Sequence, residues 1–99
     1  MDRFIQLTGL VWYAEEDFAE IKALMIDGHK LHGRYADWQL AAENGERQLR
    51  TQGIQVIRAH LKPAAFKDWC ATHGHELDAK GRTAFANWCA KEAHVKAQG

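Results

Sequence analysis

The segment Ile54-Gln-Val-Ile-Arg-Ala-His-Leu61 constrains the fold more than any other. It is rich in β-branched residues, follows Gly53 directly and is closed by Lys62-Pro63, a combination that predicts a strand. A strand needs a partner, and residues 3–13, RFIQLTGLVWY, supply one, with Ile5, Leu7, Val11 and Tyr13 on one side of a period-two pattern. Gly9 interrupts this first run and reads as a bend or bulge. In the second run Ile57, Ala59 and Leu61 share one face, while Arg58 and His60 point the other way.

The remaining segments carry helical spacing. EEDFAEIKALM repeats apolar residues at Phe18, Ile21, Leu24 and Met25 and ends at Asp27-Gly28. Residues 34–52 read as a longer helix with an inward stripe of Tyr35, Trp38, Ala42, Gly45 and Leu49, closed by Gly53. The small Ala42 and Gly45 are expected to let a neighbour approach closely. Pro63 opens a third helix, since proline is tolerated in a first turn, and Gly74 closes it; its face is Phe66, Trp69, Cys70 and His73. Asp78 is the expected N-cap of a fourth helix running to about residue 96, with Phe85, Trp88, Cys89 and Val95 near one stripe. The expected architecture is α+β: a small two-stranded sheet, built from residues near 10–13 and 54–60 and covered by four helices, in the order β-α-α-β-α-α.

Composition sets the outer limits. A chain of 99 residues, 46% hydrophobic and 26% charged, is too short for two independent cores and too apolar for disorder, so residues 1–99 are read as one domain and large catalytic barrels are excluded. No apolar run nears the roughly 18 residues of a membrane span. Asp2 and the run Ala14-Glu15-Glu16 argue against a signal peptide, and two cysteines are no disulfide framework, which fits a reducing cytoplasm. Formal charge is zero, yet residues 1–27 set Asp2, Glu15, Glu16, Asp17, Glu20 and Asp27 against Arg3 and Lys22, so the later residues are net basic. That polarity allows head-to-tail contacts between molecules. A plainer use is favoured for Glu15, Glu16 and Asp17, which stand where a helix's first turn wants anions.

Several groupings could carry chemistry. AFKDWCATHGH at 65–75 is echoed by AFANWCAKEAH at 84–94, so Phe66, Trp69, Cys70 and His75 return as Phe85, Trp88, Cys89 and His94. Two thiols and two imidazoles are a zinc-ligand set, but a tight antiparallel hairpin of the two helices would offset the sulfurs by about 12 Å, so no metal and no cofactor is expected. Cys70 and His73 share a helical face, but Cys70 lies on the stripe expected to be buried, where a thiol's reactivity falls, and no third orienting group is evident. An enzyme is therefore not expected. His29 and His32 beside Asp27, and the neighbouring Glu15 and Glu16, have no specific catalytic spacing. Arg47, Arg50, Arg58, Lys62 and Lys67 cluster around the second strand and form the candidate nucleic-acid footprint, diluted by Glu43, Glu46 and Asp68.

The four tryptophans, Trp12, Trp38, Trp69 and Trp88, are difficult to hide in so small a globule. Partly exposed aromatic residues are favoured anchors at interfaces. The leading expectation is therefore a non-enzymatic interaction module that self-associates as a dimer or captures a protein partner through a strand edge, with Trp12, Tyr13, Tyr35 and Trp38 as the aromatic patch. A two-stranded sheet leaves open edges that serve as templates for a further strand.

Val11-Trp12-Tyr13, Glu16-Asp17, Asp27-Gly28, Leu31, Tyr35, Trp38, Ala42-Glu43, Trp69-Cys70 and Asp78-Ala79, spread over residues 10–86, resemble the recurrent elements of a family of small uncharacterised bacterial proteins. The resemblance implies a bacterial source and a cytoplasmic protein, and it transfers no catalytic residue. Because such proteins are of the kind carried by mobile elements, it also keeps a phage- or plasmid-borne inhibitor of a host protein as an alternative.

Overall fold

The computed structural model describes residues 6–31 and 33–98; residues 3–5 of the expected first strand and His32 lie outside the described residues. Strand β1 (Leu7–Trp12) pairs with β2 (Gln55–His60) in parallel, in unbroken register from Leu7 opposite Gln55 to Trp12 opposite His60. Parallel pairing demands a long crossover. Here it runs through a 3-10 turn at Glu15–Asp17, helix α1 (Phe18–Leu24), a second 3-10 turn at Gly28–Lys30 and helix α2 (Tyr35–Thr51). Helices α3 (Pro63–His73) and α4 (Ala79–Gln98) complete the α+β fold in the expected order.

The punctuation works as the sequence implies. Pro63 occupies the first turn of α3, and Gly74, at φ +73°, ends that helix by donating its N–H to the Cys70 carbonyl. Asp78 caps α4, its Oδ1 accepting the Gly81 N–H at 2.9 Å.

Packing departs from expectation at several positions, and the first is Gly9. The strand runs through it without a bulge. Its missing side chain lets α4 press directly on β1, because a Cβ there would collide with the backbone carbonyl of Ala86. By alternation Leu7, Gly9 and Val11 face α4, while Thr8, Leu10 and Trp12 face α2. Gly45, expected to admit a close neighbour, has open space around it.

Both faces of the sheet are therefore covered, as parallel strands require. Val56 and Ala59, on opposite faces of β2, are both buried, so each face of the strand contributes to the core. Arg58 is not simply turned to solvent: its guanidinium lies 3.8 Å from the centre of the Trp12 ring and donates two 2.8 Å hydrogen bonds to Glu46 of α2. Glu46, rather than Gly45, is consequently the buried residue at that level of α2. On α4 the inward stripe is Phe85, Ala86 and Ala90, whereas Trp88 and Val95 are exposed. The small alanines let the helix seat on the sheet, and that rotates Trp88 outward.

Two aromatic clusters fill the interior. Trp12, Tyr13, Phe18, Tyr35 and Trp38 form one, with centroids 4.7–6.2 Å apart in edge-on or tilted pairs. Phe66, Trp69 and Phe85 form the other between α3 and α4. Part of the acidic bias of the N-terminal segment is matched within the molecule: Asp17 pairs with Lys62 at 2.8 Å, and Asp27 with Arg82 at 2.8 Å. Among the described residues no helix is long and apolar enough to cross a membrane.

Candidate functional site

The feature best built to receive another molecule lies along the outer edge of β1. The Gln55 N–H donates to the Gln6 carbonyl at 2.8 Å and the Leu61 N–H to the Trp12 carbonyl at 3.0 Å. In a parallel ladder alternate residues address the same neighbour, so Gln6, Thr8, Leu10 and Trp12 bond to β2. Leu7, Gly9 and Val11 then turn their N–H and C=O groups to the open edge, where no backbone partner meets them among the described residues.

This edge forms the floor of a groove of about 380 Å³. One wall is α2, through Trp38, Ala41 and Ala42; the other is α4, through Ala79, Thr83 and Ala86. Apart from Trp38 and Arg82 the walls carry small side chains, so the backbone of β1 stays reachable. β1 itself contains no charged residue, whereas β2 carries Arg58 and His60, the kind of side chain that discourages pairing at an edge. Among the described residues that line the groove Arg82 is the one cation, and Asp27 holds it through bonds of 2.8 and 3.1 Å. The guanidinium in turn holds the Asp27 carboxyl below its ordinary range, chiefly by these hydrogen bonds.

The residues expected to form an exposed aromatic patch occupy the interior instead. Trp12, Tyr13 and Trp38 are only 6%, 3% and 8% exposed, and Tyr35 is half-buried with its hydroxyl donating to the Tyr13 carbonyl at 2.9 Å. They cohere because rings leaving β1 and the first turns of α2 meet over the end of the sheet. Trp38 alone of the four also lines the groove. The exposed tryptophan is Trp88, at 40%.

The basic cluster is largely committed to internal partners. Arg58 is fixed by Glu46, which also has Arg50 at 3.5 Å; Lys62 pairs with Asp17, and Arg47 donates to Asn44 at 2.8 Å. Hydrogen bonds from Arg58 keep the Glu46 carboxyl below its usual range. Lys67 is exposed on α3. A surface whose guanidiniums already face carboxylates has less to offer a phosphate backbone. The spacing of Glu46 and Arg58 in sequence gave no sign of this pair, because α2 and β2 are brought together only by the crossover.

Cys70 is buried, its thiol donating to the Glu76 carbonyl at 3.6 Å, and burial pushes its pKa up. Burial does the same to the half-buried Cys89. A raised thiol pKa works against nucleophilic use. His73, expected on the inward face of α3, is exposed and rests against the Trp69 ring. His94 is exposed on α4, and His29 is exposed in the second 3-10 turn. Among the described residues no three His, Cys, Asp or Glu side chains converge as a metal site. Comparison of the chain with protein-family models, with curated proteins and with solved structures finds no match.

Proposed function

We propose that this protein is a non-enzymatic interaction module that adds an extended segment of a protein partner, or of a second copy of itself, to the outer edge of β1. The observation that carries this reading is the unpaired edge of Leu7, Gly9 and Val11 at the floor of the groove between α2 and α4. An incoming strand exchanges hydrated edge groups for main-chain hydrogen bonds, and the alanine-lined walls select small or flat apolar side chains on alternate positions. Tyr13, Tyr35 and Trp12 serve this function indirectly, as the packed base that holds β1 straight, while Trp38 supplies apolar contact within the groove. The free thiols of Cys70 and Cys89 support a reducing compartment such as a bacterial cytoplasm.

Two substitutions test the reading without replacing a fully buried residue. Ala41→Glu places a charge in the wall at an exposed position, and Val11→Pro removes an outward N–H while leaving the β1–β2 ladder intact. Sedimentation at two concentrations reports self-association, and affinity capture with the three proteins side by side reports other partners. Association by the wild type that both variants lose, with their circular dichroism unchanged, is the expected result. Equal association by all three proteins, or a monomer that retains nothing, overturns the proposal.

A further inference from the structure

A second concavity lies on the far side of α4 from the sheet, where the end of α3 and the turn after it meet the middle of α4. Its volume is about 300 Å³, and its wall includes Trp69, His73, His75, Asn87, Trp88 and Lys91. The imidazoles of His73 and His75 both lie against the Trp69 indole, with centroids at 4.5 and 5.1 Å and planes within 22° and 6° of parallel. The Trp88 ring stands 6.0 Å from that of Trp69, inclined by 56°. The two imidazoles thus cover the buried Trp69 ring, and the indole that the concavity offers to solvent is Trp88, 40% exposed.

The polar groups define what fits. Lys91 forms no ion pair with any described residue, so its ammonium is available at the rim. Asn87 adds an amide with both a donor and an acceptor. His73 Nδ1 lies 2.9 Å from the Trp69 carbonyl oxygen; a carbonyl only accepts, so Nδ1 carries the hydrogen of that bond. Lys91 and Asn87 are both exposed, and a purely apolar ligand would make no use of either. A cationic ligand would stack well on the exposed indole but be repelled by Lys91. A planar aromatic ring bearing an anion satisfies both sets of groups, and the volume, at the low end for small-molecule sites, admits one such ring system with one charged group.

We propose that this slot binds a nucleotide, with the base against the exposed Trp88 indole and the phosphate at Lys91. The same chemistry is presented by a free mononucleotide and by a residue of a single strand, and titration calorimetry separates them with AMP, adenosine, ribose 5-phosphate and a ten-residue oligoadenylate as probes. AMP is expected to bind about tenfold more tightly than adenosine, and ribose 5-phosphate not measurably. Lys91→Met should bring AMP down to the adenosine level without altering adenosine, and Trp88→Ala should weaken both by about tenfold. Both residues are exposed, and circular dichroism of each variant confirms the fold. Oligoadenylate at least tenfold tighter than AMP identifies a single strand as the source; equal or weaker binding identifies the mononucleotide. The proposal is overturned if neither AMP nor oligoadenylate binds at millimolar concentration, if adenosine equals AMP, or if the two variants bind as the wild type does.

Discussion

Replacing Gly9 with alanine isolates the contact on which the layered arrangement depends. The added methyl would lie within 3.0 Å of the carbonyl group of Ala86 and 3.1 Å from the Asn87 nitrogen, whereas ordinary contact begins near 3.4 Å. The obstacle is helix backbone, so no rotamer change relieves it. Either α4 lifts from β1 or the strand bends. A gap of about 0.5–1 Å forfeits a quarter to a half of the dispersion attraction across it, and α4 packs on both strands. Overpacking commonly costs about 1–3 kcal/mol, and a rigid obstacle places this case near 3 kcal/mol. For a domain of this size each kcal/mol shifts the melting temperature by about 4–8 °C, so the variant is expected to melt roughly 12–24 °C below the wild type. Gly45→Ala is the matched control, because no atom of the described residues lies within 4 Å of its new Cβ and alanine is favoured over glycine in a helix interior by about 0.5–1 kcal/mol. It should melt a few degrees higher. Far-UV circular dichroism melts of the three proteins decide the matter. A Gly9→Ala protein melting within about 3 °C of the wild type would refute the direct seating of α4 on β1.

Two further outcomes follow from the buried polar groups. Arg82→Ala strands the Asp27 carboxylate, which is only 16% exposed, and should cost about 3 kcal/mol near neutral pH. Because Arg82 depresses the folded pKa of Asp27, the pair's contribution is complete above the ordinary value of 3.8 and is lost as pH falls through the lower folded value. The stability difference between wild type and variant, measured by urea titration from pH 6 downward, should therefore narrow in acid; a constant difference would contradict the assigned role. Thiol titration with an aromatic disulfide at pH 7 should find Cys70 unreactive in the native protein and Cys89 slow, with both reacting once denaturant is added. Rapid native reaction of Cys70 would show that its burial is misjudged.

The order of elements and most of their ends were legible in the sequence, because they depend on local chemistry. Alternation and β-branching mark β2, Pro63 and Gly74 bracket α3, and Asp78 caps α4, each through the backbone of its own few residues. Even the glycine closing α2 is local, since Gly53 adopts φ +82° as the chain turns into β2.

Which faces meet was decided only in three dimensions. A period-two pattern cannot distinguish a strand covered on one side from one covered on both, and the parallel crossover buried both, taking Trp12 and Tyr13 inside. The same crossover set Glu46 against Arg58, twelve residues apart, converting an expected basic surface into a bidentate pair stacked on Trp12. On α4 two stripes compete, and the flat one of Ala86 and Ala90 was chosen because Gly9 opposite it lets the helix come close; Trp88 was left in solvent as the consequence. Sequence thus determined where this chain bends and stiffens, since those preferences belong to each residue and its immediate neighbours. Tertiary structure decided what is hidden and what is offered, since burial belongs to pairs of surfaces that the chain brings together only after it has folded.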